Sequence, residues 1–266
     1  MQAYDISTTS LILCFLMLLI PLAISYLLNL DLIKSTFKSI SRMTLQLAFI
    51  GIFLTFIFDL NNTLLNLFWI MLMLIVASHS VIESCDIKLS KLFTPLFLSF
   101  TITNLSVLFY FNNFVIDLTN LFEARYLIPI GGMVLGNSLR ANIIGINDFR
   151  SEIKRNEHRY LYSLSMGAQK HEALIPYLRK SMISAIKPTI ANMSTVGIVF
   201  LPGMMTGQIL GGSSPIVAIE YQIAIMVAIY VTTVMSVMLS IIVTIYIGFD
   251  KLGIFRKDVL KEGNKK

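Results

Sequence analysis

An all-α integral membrane protein, with about seven transmembrane helices and a cytoplasmic amphipathic hairpin, is the fold class this sequence predicts. Three observations predict it. Hydrophobic residues make up 56% of the chain and charged residues only 14%, where a soluble domain carries about 25% charge; mean hydropathy is +0.76. Apolar runs recur at the length of about 20 residues needed to cross a hydrocarbon core. Basic residues collect in alternate loops, as the positive-inside rule requires.

The apolar segments are Thr9–Leu30, Met43–Phe58, Leu64–Ile82, Leu92–Phe111, Tyr126–Ile146, Lys187–Leu210 and Glu220–Phe249. They make one transmembrane domain over residues 1–250 and leave a basic tail over 251–266. The opening stretch, MQAYDISTTS, is acidic and lacks the basic region and small-residue cleavage site of a signal peptide. The first apolar run is therefore expected to stay as a helix, with the N-terminus outside. Met43–Phe58 is short, and its polar flanks extend it. Apart from Arg125 and Arg140, every Lys and Arg then falls on one side: Lys34, Lys38 and Arg42, Lys88 and Lys91, the run from Arg150 to Lys187, and the tail. Seven spans with a cytoplasmic C-terminus in the cell (inner or plasma) membrane fit this asymmetry; six or eight would scatter it.

The opposite face is thin. Asp59 to Thr63 is a tight turn and Asn112 to Glu123 a short acidic loop, which leaves no room for a ligand-binding domain and argues against a receptor. The net charge of +6 is explained by loops and tail, so nucleic acid is not an expected partner; the lipid bilayer is. Cys14 and Cys85 are placed in a helix and a cytoplasmic loop, where neither a disulfide nor a zinc motif is expected.

The longest soluble piece is the segment 147–187. Ile153, Tyr160, Leu161 and Leu164 fall near helical spacing, and Leu174, Leu178, Met182 and Ile186 follow at steps of four. Gly167 between them suits a left-handed turn. Such a helix pair either lies on lipid as an amphipathic anchor or docks a partner protein.

The sixth segment contains the stretch Asn192 to Pro215. Pro202-Gly203 interrupts its helix, and Gly207, Gly211, Gly212 and Pro215 keep it open. Broken backbone at membrane depth is tolerated only inside protein or along a cavity, which points to a transport pathway, with the break near the outer face as a gate. Pro129 to Met133 with Gly136 echoes Pro202 to Met205 with Gly207. Small residues permit close helix contact, so the two motifs either pack face to face or meet at one cavity. In the second case Met133, Met204 and Met205 offer thioethers to a soft metal such as copper(I), while ferrous iron prefers Gln46, Asn137, Gln208 or bare carbonyls. His79, Glu83, Cys85 and Asp86 form the densest set of metal-ligand types. His79 and Glu83 share a helix face, either as a polar helix end among headgroups or as a place where metal enters. Arg140 is expected to snorkel.

Several chemistries are missing. There is no G-x-x-x-x-G-K-[ST] phosphate loop, no G-x-S-x-G nucleophile element, and HEALI at His171 lacks the second histidine of a zinc protease. Asp59 and Glu220 lie at span ends, and no carboxylate lies within a span. Ion-coupled carriers usually keep one despite its cost, so the sequence favours a pump driven from outside the membrane; the alternative is a secondary transporter or channel for a metal ion or small solute.

Gln46 in TLQLAFIG, the run IPIGGMVLGNSL, LSMGA, and TVGIVFLPGMMTGQILGGSSP followed by AIEYQI resemble the FetB-like family of bacterial iron-export permeases, whose relatives include plant aluminium-tolerance membrane subunits. The resemblance covers essentially the whole membrane region. It implies a non-enzymatic permease subunit of an ABC transporter, exporting iron or another metal, with ATP and Mg bound by a separate ATPase chain and no cofactor here. It also implies a homodimer, because such pumps use two ATPase sites and this chain supplies half a pathway. LSMGAQKHEALIP resembles the coupling loop of ABC importers without its Glu-Ala-Ala run, which makes Ser165, Gly167, Ala168 and Glu172 the expected ATPase-coupling residues. The expected pathway residues are Gln46, Gly131, Gly132, Met133, Asn137, Pro202, Gly203, Met204, Met205, Gly207 and Gln208.

Overall fold

A computed structural model describes residues 7–85, 89–118, 120–250 and 253–254. Most of the basic tail, together with Asp86 and Lys88, lies outside the described residues. The described chain is all-α, and six of its helical stretches are long and apolar enough to cross a membrane.

The first, Thr8–Leu27, is two helices end to end: α1 (Thr8–Leu16), capped by Ser7, and α2 (Leu19–Leu27). Pro21 accounts for the joint. Its ring collides with the carbonyl four residues back, at Met17, and it donates no hydrogen bond; the bonds there shorten to Met17 N–H on Cys14 O at 3.1 Å and Leu18 N–H on Phe15 O at 3.1 Å. Asn29 and Asp31 turn the chain at positive φ, which these two types tolerate better than most. Helix α3 (Ile33–Leu60) starts ten residues before the expected Met43, because Lys34, Lys38 and Arg42 are good helix formers outside the apolar window.

Asn61 ends α3 in the left-handed region, and Asn62 starts α4 (Thr63–Ser84) by accepting Leu64 N–H at 2.9 Å. Helix α5 (Leu89–Tyr110) runs on through a π turn at Phe111–Val115. Helix α6 (Ala124–Arg155) has 32 residues, about 48 Å at 1.5 Å each, and outruns a hydrocarbon core of about 30 Å. Then come α7 (Glu157–Ser165), α8 (Lys170–Thr195), α9 (Gly203–Leu210) and α10 (Pro215–Gly248), the last begun by a Ser214 cap and a proline at its first turn.

Helix α10 is the axis of the bundle: α5, α6, α8 and α9 all pack on it, and α4 joins through α5 and α6. Ile70, Leu74, Val81, Leu92, Leu96 and Phe100 knit α4 to α5. Apolar burial gives helices little reason to associate when lipid is equally apolar; close packing and interhelical hydrogen bonds must do it. Gly131 shows the closeness, since a Cβ there would lie 2.9 Å from Ile70 Cδ1. Helices α1 to α3 form a peripheral arm. No residue of α1 is buried, and α3 buries only Ile57, against Ala124 and Ile128 of α6.

The expected sixth span, Lys187–Leu210, takes a different form from a proline-broken helix. Helix α8 carries the second half of the 147–187 segment straight through Pro176 and Pro188 to Thr195. The second helix of the hairpin and the first part of the expected sixth span are thus one helix. The break that follows is at 196–201, ahead of Pro202.

Candidate functional site

Two ends of the bundle and the break between α8 and α9 hold the residues of interest. At one end, α7 and α8 meet at Gly167, whose φ is +92°. The turn is closed by Gly167 N–H on Leu164 O at 3.0 Å and Ala168 N–H on Ser163 O at 3.1 Å. Ser165 Oγ donates to Tyr162 O at 2.8 Å. Gln169 and Glu172 form a reciprocal cap on α8, with Gln169 N–H on Glu172 Oε2 at 3.0 Å. Of the four expected coupling residues, Glu172 therefore shapes the turn through its cap and Gly167 through its backbone. A Cβ on Gly167 would meet nothing within 4 Å, so the turn projects. Tyr162 and Met166 beside it are 65% and 71% exposed.

Behind the turn the structure is tight. Tyr160 is 2% exposed and donates from its hydroxyl to Gly253 O at 2.7 Å. Its ring meets Tyr177 of α8 and Phe249 just past α10, at centroid distances of 6.3 and 5.9 Å and near-perpendicular, the favoured edge-to-face arrangement. Phe249 also meets Phe149 of α6, and Lys170 Nζ lies 5.7 Å from its ring centroid. Burial, and then the Asp250 carboxylate, pushes the Tyr160 hydroxyl up to about 12. On the outer side Lys180 Nζ of α8 sits 2.7 Å from Glu152 Oε1 of α6, with Arg155 at 3.7 Å. The turn is thus keyed to α6, α8 and the end of α10 together.

The break begins where Gly197 takes φ +87°. Gly197 N–H reaches Phe200 O at 3.0 Å, and Val199 N–H reaches Thr195 O at 2.9 Å. Ile198 is 91% exposed at the tip. Pro202 does not interrupt a helix as expected; it is the N-cap of α9. Helix α9 folds against α10 through the Gly211-Gly212 turn, where Gly212 has φ +97°.

The expected pathway residues are spread over this region. Gln46, with Gly132 and Gly136, lines a cleft of about 550 Å³ between α3, α4 and α6. Gly131 faces the other way, onto Ile70 and Leu108. Met133 and Met204 pack on one buried cluster, built around Ile130, Val134, Ile225 and Ile229, so both glycine-methionine motifs border it. Met205 turns into a second cavity, of about 420 Å³, with Met193, Gln222 and Met226. Asn137 donates to Met133 O on its own helix at 2.8 Å. Gly203 and Gly207 face open space. Gln208 Oε1 is enclosed without a hydrogen-bond partner.

The His79 set does not gather. His79 Nδ1 and Glu83 Oε2 are 3.8 Å apart and half to two-thirds exposed, whereas Cys85 is buried with its sulfur toward Ile143 O at 3.9 Å. Among the described residues no group of three or more His, Cys, Asp or Glu could hold a metal ion. One helical turn cannot bring Cys85 onto the His79–Glu83 face, because it lies two residues past Glu83.

A feature that hydropathy hides lies between α6 and α10. Thr232, Ser236, Ser240 and Thr244 recur at steps of four along α10, all buried. Opposite them, Asn142 of α6 donates to Ser236 Oγ at 2.8 Å and to Ser138 O at 2.7 Å. The signal in the sequence was that period of four in hydroxyl residues, in a span otherwise apolar.

Comparison with known proteins adds to this geometry. The model of an uncharacterised protein family, UPF0014, matches residues 8–249. The chain is 31% identical to the UPF0014 membrane protein YjkA of Bacillus subtilis (strain 168), over 91% of this chain and 94% of that protein. It is 31% identical to Protein ALUMINUM SENSITIVE 3 of Arabidopsis thaliana, over 78% and 75%. It is 28% identical to the "Probable iron export permease protein FetB" of Escherichia coli (strain K12), over 92% and 93%. No solved structure matches the chain.

Proposed function

Because the chain belongs to the UPF0014 family of membrane proteins, we propose that it is the membrane-spanning permease subunit of an ATP-driven ABC exporter. Its cargo is iron or another metal ion, and a separate ATPase chain, carrying ATP and Mg, hydrolyses the nucleotide. The permease acts as a homodimer, with its C-terminus and the Gly167 turn in the cytoplasm. The metal is read from one relative, which covers nearly the whole chain and is named as a probable iron export permease.

The observation that carries the coupling is the Gly167 turn. It projects from the bundle with exposed Tyr162 and Met166 beside it, yet its two helices are locked to α6 and the end of α10 through Tyr160, Tyr177 and Phe249. An ATPase that grips the turn differently with and without ATP would tilt α8, and α8 ends at the break. Coupling of this kind requires a contact that differs between the two states. Ser165, Ala168 and Glu172 hold the turn in shape for that contact. The break at 196–201 then serves as the gate on the opposite side.

Two experiments test this reading. The tagged permease should co-purify from its own membranes with an ATPase bearing a phosphate loop, and deletion should raise cell iron and peroxide sensitivity. A permease that purifies alone and transports on a proton gradient would instead be a secondary carrier. Unchanged metal content and metal tolerance on deletion would remove the metal assignment.

A further inference from the structure

Between α6 and α10 the interior is apolar at one level, polar at the next, and mixed beyond that, where Ser240 and Thr244 are buried among apolar side chains. Along α6 the buried residues run Ile130 and Val134, then Ser138 and Asn142, then Gly145 and Phe149. Along α10 they run Ile225 and Ile229, then Thr232, Thr233 and Ser236, then Val237 and Ile241 on either side of Ser240. The first pair of levels forms one apolar cluster with Leu108 of α5 and Phe111 of the π turn that follows it. The last forms another with Leu174 and Ala185 of α8, and it is closed tightly: a Cβ on Gly145 would lie 2.9 Å from Val237 Cγ1 and 3.3 Å from Ala185 Cβ.

Helix-to-helix adhesion accounts for the Asn142–Ser236 bond but not for the rest of the polar layer. Polar side chains that glue helices in lipid do so by satisfying one another. Here both amide hydrogens of Asn142 are used, on Ser138 O and Ser236 Oγ, but its Oδ1 has no partner. Asn142 is fully buried, as are Thr233 and Ser240, whose hydroxyls also lack partners. An alanine or leucine at these places would avoid that cost. What the layer offers is a set of unengaged oxygen atoms, and an oxygen lone pair calls for a cation or a donor.

We infer that this layer, centred on Asn142 and Ser236, is the transit site for the exported cation, held between an apolar gate on one side and the close-packed contact of Gly145, Ala185 and Val237 on the other. The inference rests on the permease reading above and names the chemistry of its cargo. All the groups are hard oxygen donors, with no thioether, thiolate or imidazole among them, so they match a hard or borderline divalent ion and not copper(I). None is charged, so they hold a partly hydrated ion weakly, as a pathway that must release its cargo requires. The gate on the α7 side is built from α6, α8 and α10, the elements joined to the Gly167 turn. Opening it needs only that α8 draw Ala185 away from Gly145 and Val237.

The test is a Mn²⁺ titration of the full chain in lipid nanodiscs, read as loss of the free-ion EPR signal. Wild type should bind Mn²⁺, and Ag⁺ should not displace it. Asn142→Asp adds one carboxylate to the same oxygen set and should tighten binding about tenfold, since ligand charge tunes such sites. The double variant Asn142→Leu, Ser236→Ala removes both partners of one hydrogen bond, which is close to neutral for folding; it should keep its melting temperature and lose Mn²⁺. Equal binding by wild type and Asn142→Asp, or none by either, overturns the inference, and so does retention of Mn²⁺ by the double variant. No ATPase is needed in this assay. A failed transit site beside intact ATP-driven transport discards only the site, and Mn²⁺ binding beside gradient-driven transport discards only the ATP-driven reading.

Discussion

Lys180 Nζ lies 2.7 Å from Glu152 Oε1, which ties the helix leading out of the Gly167 turn to the end of α6. The Glu152 side chain is 8% exposed and the Lys180 side chain 58%, so the carboxylate depends on the pair more than the ammonium does. Replacing Lys180 by Met leaves Glu152 with Arg155 at 3.7 Å and Asn156 Nδ2 at 3.4 Å. The account predicts a melting temperature lower by a few degrees and weaker transport per ATP hydrolysed, both restored by Lys180→Arg. A thermal shift assay alongside coupled transport measures this; equal coupling in Lys180→Met would mean that the pair carries no motion.

Gly167 is the sharper probe of the same link. Its φ of +92° is open to glycine and costly for a β-branched residue, while a Cβ meets no neighbour. Gly167→Val should therefore distort only the turn. Membrane insertion and expression should match wild type, ATP hydrolysis should persist, and ATP-driven transport should be lost. Gly167→Asn, which tolerates left-handed backbone at about 1 kcal/mol, should retain part of it.

At the break, the structure moves the expected sensitivity from Pro202 to Gly197. Pro202 caps α9 and its loss removes no kink, so Pro202→Leu with Gly203→Leu should leave transport largely intact. Gly197→Val forces a β-branched residue into φ +87° and should cost roughly 1–3 kcal/mol of local stability and most of the transport. Transport rates of the two variants at matched expression decide the order. The reverse order would place the gate at Pro202 after all.

Tyr160 gives the fold a pH signature. Its hydroxyl stays protonated to about pH 12 in the folded chain against about 10 in an unfolded one. Its contribution is constant below pH 10 and is lost as pH rises from 10 to 12, where the unfolded chain releases a proton that the folded chain keeps. Tyr160→Phe keeps the ring contacts and loses the bond to Gly253 O, for about 1 kcal/mol at neutral pH. The gap between the two proteins should shrink in alkali. A constant gap from pH 7 to 11.5 in a denaturation series would contradict the assigned environment.

The membrane class and most span positions were legible because hydropathy and charge report directly on lipid contact. What was not legible had local physical causes. Hydropathy windows began the second span at Met43, and the extension expected from its polar flanks reaches Ile33, because Lys34 to Arg42 favour helix. The helix from Leu174 to Ile186 and the span from Lys187 read as two elements, but α8 is continuous through both. Val196, Ile198 and Val199 read as membrane helix, and only the φ of Gly197 shows that the chain leaves it there. Asn142 and Ser236 are 94 residues apart, and no pattern along one segment pairs them; the period of four on α10 marked one side only. His79 and Glu83 share a face as their spacing of four requires, and nothing along the sequence showed that Cys85 turns inward toward Ile143 O.

The most direct test is metal transport by the purified permease and its ATPase in liposomes, across a panel of metal ions including ferrous iron, with the proton gradient collapsed. The account predicts ATP-dependent movement of at least one hard or borderline divalent ion that survives loss of the gradient, with Gly167→Val hydrolysing ATP but moving no metal. Transport that stops when the gradient collapses while ATP remains, or an ATPase that stimulates no metal movement, would contradict it.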